Sequence, residues 1–191
     1  MTLLIAAIVI FFGIHLVPTM GDLRGRLVGR LGESGYRAMF AVLSAASLIL
    51  LIYAFAKAPS VTIWSPPSWT RWIAIILMWP AFIFLVAAYV PGKIKERLKH
   101  PFLVAIKTWA LAHLIANGDL ASMILFASFL AYAVYDRISL KTGRRPTSLV
   151  AVEGAPKPRN DAIAVVAGTA LYLATLFWLH QAVIGVAPLP H

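Results

Sequence analysis

Apolar residues fall into six long runs, at roughly 2–20, 36–56, 72–91, 101–116, 119–135 and 162–186, with polar and basic residues gathered between them. Each run is near the ~20 residues that carry a helix across a ~30 Å hydrocarbon core. The pattern predicts an all-α fold, an integral membrane six-helix bundle forming a single domain over residues 1–191. The fourth and fifth runs are short and parted only by Asn117-Gly118, which predicts a tight helical hairpin. Gly118 suits a position just past a helix end, where a left-handed backbone is needed. Asp119 suits the N-cap of the following helix. Pro80 withdraws the backbone bond to Ile76 and predicts a kink in the third run. Small residues four apart, Ala164 with Gly168 and Ala127 with Ala131, predict faces where a neighbouring helix comes close.

The polar stretches carry the orientation. Arg24, Arg26, Arg30 and Arg37 lie in or beside the loop 21–35. Lys93, Lys95, Arg97 and Lys99 lie in the loop 92–100. Arg137, Lys141, Arg144, Arg145, Lys157 and Arg159 lie in the loop 136–161. Only Lys57, Arg71 and Lys107 stand elsewhere. Basic loops stay in the cytoplasm, so both termini are expected on the outer, periplasmic side. Trp64, Trp69 and Trp72 then form an outer aromatic belt. The loop 141–160, rich in Pro, Gly and basic residues, is expected to be mobile.

Composition sharpens this picture. The chain is 61% hydrophobic and 13% charged, against about 25% charged in a soluble domain. Its net charge of +10 points to lipid head groups rather than nucleic acid, because the basic residues leave the apolar runs almost empty. The N-terminus lacks the basic region and small-residue cleavage site of a signal peptide, so the first run is expected to remain as a span. There is no cysteine, which excludes disulfides, iron–sulfur clusters and thiolate metal sites.

Candidate chemistry therefore falls to histidine. His15 follows Gly13 near the inner end of the first run. His100 precedes Pro101 at a helix start and reads first as a solvated cap beside lipid phosphates, ahead of a ligand role. His113 is deeper, and on a 3.6-residue helix it shares a face with Trp109 and Asn117. Lys107 lies about 120° around that helix and is expected to meet an acidic group, a carbonyl or a propionate. His180 reads as an interfacial residue, and His191 as a frayed terminus. The seven carboxylates, Asp136 among them, fall in loops or at run ends. No GxGxxG, HExxH or GxSxG occurs. A cysteine-free helical bundle bearing histidines suits a haem held by imidazoles.

The segments His100-Pro101, Trp109-Ala110-Leu111-Ala112-His113-Leu114 and Asn117-Gly118-Asp119-Leu120, with Gly13-Ile14-His15, Leu31-Gly32-Glu33 and Tyr36-Arg37, resemble the NnrU family through about residue 140. That family includes bacterial proteins associated with denitrification and nitric oxide metabolism, and the zeta-carotene isomerase of plants and cyanobacteria. The resemblance implies a bacterial inner-membrane protein carrying haem b. It implies His15 and His113 as iron ligands and catalytic residues, and His100 as a further family histidine. Arg24, Arg37 and Lys107 become candidate cations for haem propionates, with Trp109 and Asn117 lining the site. Depth along the runs ranks other pairs, His15 with His100 and His113 with His180. The expected function is a denitrification-linked redox role or cis–trans isomerisation of a carotenoid-like polyene. The alternative from another class is a non-enzymatic scaffold or assembly factor binding a partner through its basic loops. A transporter is disfavoured by the lack of paired broken helices and buried carboxylates.

Overall fold

The computed structural model describes residues 1–144 and 154–189. Residues 145–153, Arg145 and the middle of the expected mobile loop 141–160 among them, and His191 lie outside the described residues. What is described is all-α: α1 (Thr2–Leu16), α2 (Gly21–Ala56), α3 (Thr70–Ala87), α4 (Lys93–Leu98), α5 (Pro101–Ala116), α6 (Leu120–Lys141), α7 (Pro158–Ala174) and α8 (His180–Ile184). A 3₁₀ turn at Val17–Thr19 follows α1, and a π-helical turn at Thr175–Leu179 joins α7 to α8. Five helical segments are long and apolar enough to cross a membrane: Thr2–Thr19, Gly21–Ala56, Thr70–Ala87, Leu120–Lys141 and Pro158–Ile184. The sixth expected span, α5, is apolar but shorter, at 16 residues. Large apolar side chains line the outside of these helices. Ile49 is 68% and Val166 70% exposed, a distribution that suits lipid as the surrounding solvent.

The chain divides into two compact units. The first contains α1, α2 and α6. Residues 21–35, expected as a loop, are helical: Leu23, Leu27 and Leu31 recur every four residues and give that stretch an apolar stripe. Only Gly32 departs from helical geometry, at φ 71° and ψ 165°, a conformation that side chains resist. Beside this break Arg24 and Arg37 both pair with Glu33, and the Arg24 guanidinium lies 5.4 Å from the Tyr36 ring centre. Phe11 and Phe12 of α1 pack on Phe129 of α6. Ala127 and Ala131, expected to seat a close neighbour, are exposed. Asp119 caps α6 as expected, accepting from the Ser122 amide at 2.9 Å.

The second unit contains α3, α4, α5, α7 and α8. Its buried residues are mostly small: Ala81, Ala87 and Ala88 on one side, Ala105, Ala110 and Ala112 on α5, and Ala164 on α7. The expected close approach at Gly168 is real, because a Cβ there would lie 2.7 Å from Ile83 Cα on α3. Gly118 is required for a different reason than expected. Its φ is not positive; instead a Cβ would run into the Trp64 carbonyl and lie 2.8 Å from Pro66 Cδ. The Trp64 amide donates to the Gly118 carbonyl at 3.2 Å, so the tight contact comes from chain packing, not from the helix end. At the other end of the unit the Asp161 carboxylate accepts from the Lys93 and Ile94 amides at 3.0 and 2.9 Å and fixes the start of α4. The Lys95 ammonium donates to the Ala88 carbonyl, and burial pushes its pKa down.

Candidate functional site

The face of α5 that carries Trp109, His113 and Asn117 assembles as its spacing predicts. His113 Nδ1 lies 2.9 Å from the Trp109 carbonyl one turn back. The Trp109 ring stands 5.4 Å from the imidazole, centre to centre. Asn117 donates through Nδ2 to the His113 carbonyl at 2.8 Å. This face forms one wall of a cavity of about 160 Å3 in the second unit. Met78 and Phe82 of α3 supply apolar wall, Arg71 stands at the rim, and Tyr172, Thr175 and His180 close the other side.

His180 reaches the cavity because of the π-helical turn. In an unbroken α-helix a residue eight places on would be rotated by about 80° from Tyr172. The π turn at Thr175–Leu179 adds residues to one turn and takes up that excess. His180 then stacks near His113, with ring centres 6.4 Å apart and planes 24° from parallel. Its Nδ1 lies 2.7 Å from the Val186 carbonyl. A carbonyl only accepts, so Nδ1 carries the proton in both rings and Nε2 holds the lone pair. Metal-ligating histidines have this arrangement, with the second nitrogen anchored on a carbonyl or carboxylate.

In the first unit His15 has the same design. Its Nδ1 lies 2.7 Å from the Phe11 carbonyl, with Phe11 stacked on it at 4.1 Å and Phe40 edge-on at 5.6 Å. Tyr132 donates to the His15 carbonyl at 2.9 Å. Thus His15, Arg24 and Arg37 belong to the first unit, and His100, Lys107, Trp109, His113 and Asn117 to the second. Within the second unit His100 is at the opposite end of α5 from His113, about 20 Å along the axis by helical rise. His100 is the N-cap of α5, its carbonyl accepting from the Leu103 and Val104 amides. Lys107 is half-buried, with no hydrogen-bond or ion-pair partner among the described residues. Arg24 and Arg37 direct their donors to Glu33.

A family model for NnrU protein matches residues 3–188, nearly the whole chain. The chain belongs to the NnrU family. No curated protein and no solved structure matches it. The NnrU match extends past residue 140, where the sequence resemblance stops, and so takes in α7, the π turn and α8. For a haem in this NnrU protein, the donor chemistry of His15 and His113 fits iron, since each holds Nδ1–H on a carbonyl, which puts the ring lone pair on Nε2. The His113–His180 cavity fits less well. The two rings stand 6.4 Å apart, centre to centre, with planes 24° from parallel. The 160 Å3 available is below the ~300 Å3 at which ligand pockets usually begin.

Sequence reasoning found one group in part and missed another. His180 was read as interfacial, yet depth paired it with His113, and the π turn that brings the rings together left no mark in the hydropathy. Asp136 was placed in a loop, yet it lies inside α6 and is 3% exposed. The signal for it was present: Tyr132, Asp136 and Ser139 share one helical face, a polar stripe that a lipid-facing helix would not carry.

Proposed function

We propose that this NnrU protein is a haem b protein of the bacterial inner membrane, with His15 and His113 as the iron ligands. The observation that carries the reading is the shared anchoring of these two family-matched histidines, each with Nδ1–H on the carbonyl four residues back. Anchoring sets the tautomer and holds the ring before any ligand arrives, which lowers the ordering cost of ligation. Haem supplies one-electron and Lewis-acid chemistry. The chain's own contributions are the fixed imidazoles, the aromatic packing of Phe11 and Phe40 against His15, and apolar surfaces open to a lipid-soluble substrate. Two activities suit this arrangement: cis–trans isomerisation of a carotenoid-like polyene, and a redox role in denitrification or nitric oxide metabolism. Turnover of a cis-polyene separates them. The orientation that accompanies this reading has both termini in the periplasm and the basic ends of the helices in the cytoplasm.

The deciding experiment is an absorption spectrum of the detergent-purified protein, oxidised and reduced, with a pyridine haemochrome assay. The expected result is near-unit haem b, lost by at least about tenfold in His15→Ala and His113→Ala and kept in His100→Ala and His180→Ala. Full haem content in His113→Ala would remove that ligand, and a colourless protein that takes up no added haem would end the reading. A second reading has its own observation. Lys93, Arg97, Lys99, Lys157 and Arg159 are exposed at the end of the second unit where Asp161 fixes α4. A scaffold that docks an acidic partner there predicts no pigment and a stable co-purifying protein.

A further inference from the structure

The cavity in the second unit has a polarity that its residue types alone do not reveal. Tyr172 donates its hydroxyl to the Ile75 carbonyl at 3.1 Å, and Thr175 donates to the Leu171 carbonyl at 2.8 Å. Asn117 donates through Nδ2 to the His113 carbonyl, and His180 through Nδ1 to the Val186 carbonyl. Donor after donor is engaged by backbone. What these side chains keep for the cavity is acceptors: His180 Nε2, Asn117 Oδ1 and the hydroxyl lone pairs. Arg71, at the rim, is the one cationic donor among the described lining residues. Among the described residues no carboxylate lines the cavity, and apolar side chains, Met78, Phe82 and Leu176 among them, supply much of its wall.

A pocket of this kind favours a ligand that brings its own donor on an apolar body. The volume narrows the body. An apolar cavity of ~150 Å3 holds one benzene ring, and this one measures about 160 Å3. We propose that the cavity binds the hydroxylated aromatic ring of a membrane-soluble phenol or hydroquinone, with the ring hydroxyl donating to His180 Nε2. Phe82 and Met78 supply the face against which the ring lies, and sulfur at an aromatic edge adds to that contact. Asn117 Oδ1 is the second acceptor, so a ring with two hydroxyls has two partners. The aliphatic tail that such compounds carry leaves through the rim to lipid. This assignment gives His180 a role apart from iron and does not rest on the haem reading.

The test uses the full chain in nanodiscs, with protein-free discs subtracted, and fluorine NMR of two probes, 4-fluorophenol and 4-fluoroanisole. The two rings match in shape, but the methyl ether has no donor. One neutral hydrogen bond is worth a factor of about three to ten, so 4-fluorophenol is expected to bind about fivefold more tightly. In His180→Leu its affinity falls to that of 4-fluoroanisole. His180→Gln, which keeps an acceptor, retains the preference, and this separates lost chemistry from lost fold. Filling the cavity by Ala74→Phe abolishes binding of both probes. Equal binding of the two probes, an unchanged preference in His180→Leu, or binding that survives Ala74→Phe overturns the proposal. Loss of haem from His180→Leu also overturns it, since Nε2 would then belong to iron.

Discussion

Gly118 illustrates how a residue can be required for a reason its position in the sequence disguises. Between two apolar runs, glycine suggests a left-handed helix end. The structure instead has it where the Trp64 carbonyl and Pro66 leave no space for a Cβ. Gly118→Ala is therefore expected to destabilise the protein by about 1–3 kcal/mol through overpacking, read as a lower midpoint of thermal unfolding in detergent. If φ were the cause, Gly118→Asn would be tolerated; here it is expected to be worse than alanine. Asp119 was legible because its cap depends on one amide three residues ahead, a purely local relation. Removing it by Asp119→Ala is expected to cost about 1 kcal/mol in the same assay. The Trp109–His113–Asn117 face was legible for the same reason: helical spacing alone brings those three together. The His113–His180 pair was legible only as a match in depth; their stacking was not, because 66 residues of chain and a π turn stand between the rings and no local rule encodes that contact.

At the scale of elements, the runs of apolar residues located the helices well and their ends poorly. Charge was the source of error. Arg24, Arg26 and Arg30 made residues 21–35 look like a loop, although the leucines between them keep helical spacing; Asp136 and Arg137 made the end of α6 look like one too. The break at Gly32 is what remains of that expected loop. Gly32→Ala is expected to cost about 1–3 kcal/mol, because φ 71° and ψ 165° lie in a region essentially confined to glycine. Between α3 and α7 the contact is backbone to backbone, and Gly168→Val is expected to separate the helices and lower the unfolding midpoint more than Ala164→Val does. Gly168 was found from spacing alone, since small residues four apart are a feature of close helix pairs. The π turn makes a less intuitive prediction. Phe177 lies within it and is 52% exposed. Deleting Phe177 leaves seven steps from Tyr172 to the histidine, which in an ordinary α-helix returns it to within about 20° of Tyr172. The deletion is thus expected to keep 4-fluorophenol binding, whereas a one-residue insertion at the same place is expected to abolish it.

For the molecule as a whole, the distribution of basic residues makes a prediction that no single helix makes. A phosphatase fused at the C-terminus is expected to be active, and a fluorescent protein fused there dark, because the proposed orientation has that end in the periplasm. The reverse pattern would invert every assignment of inside and outside. The division into two units has a consequence in time as well as in space. Each unit is made from two separate stretches of chain: α6 completes the one begun by α1 and α2, while α7 and α8 complete the one begun by α3 to α5. During synthesis, then, the first half to start is still waiting for a partner while three helices of the other half emerge. The second is finished only when α7 and α8 have left the ribosome. A gene cut between Ile63 and Trp64 would yield no self-sufficient half, and a premature stop after α5 but before α7 would leave His113 translated but its cavity without the wall that α7 and α8 supply.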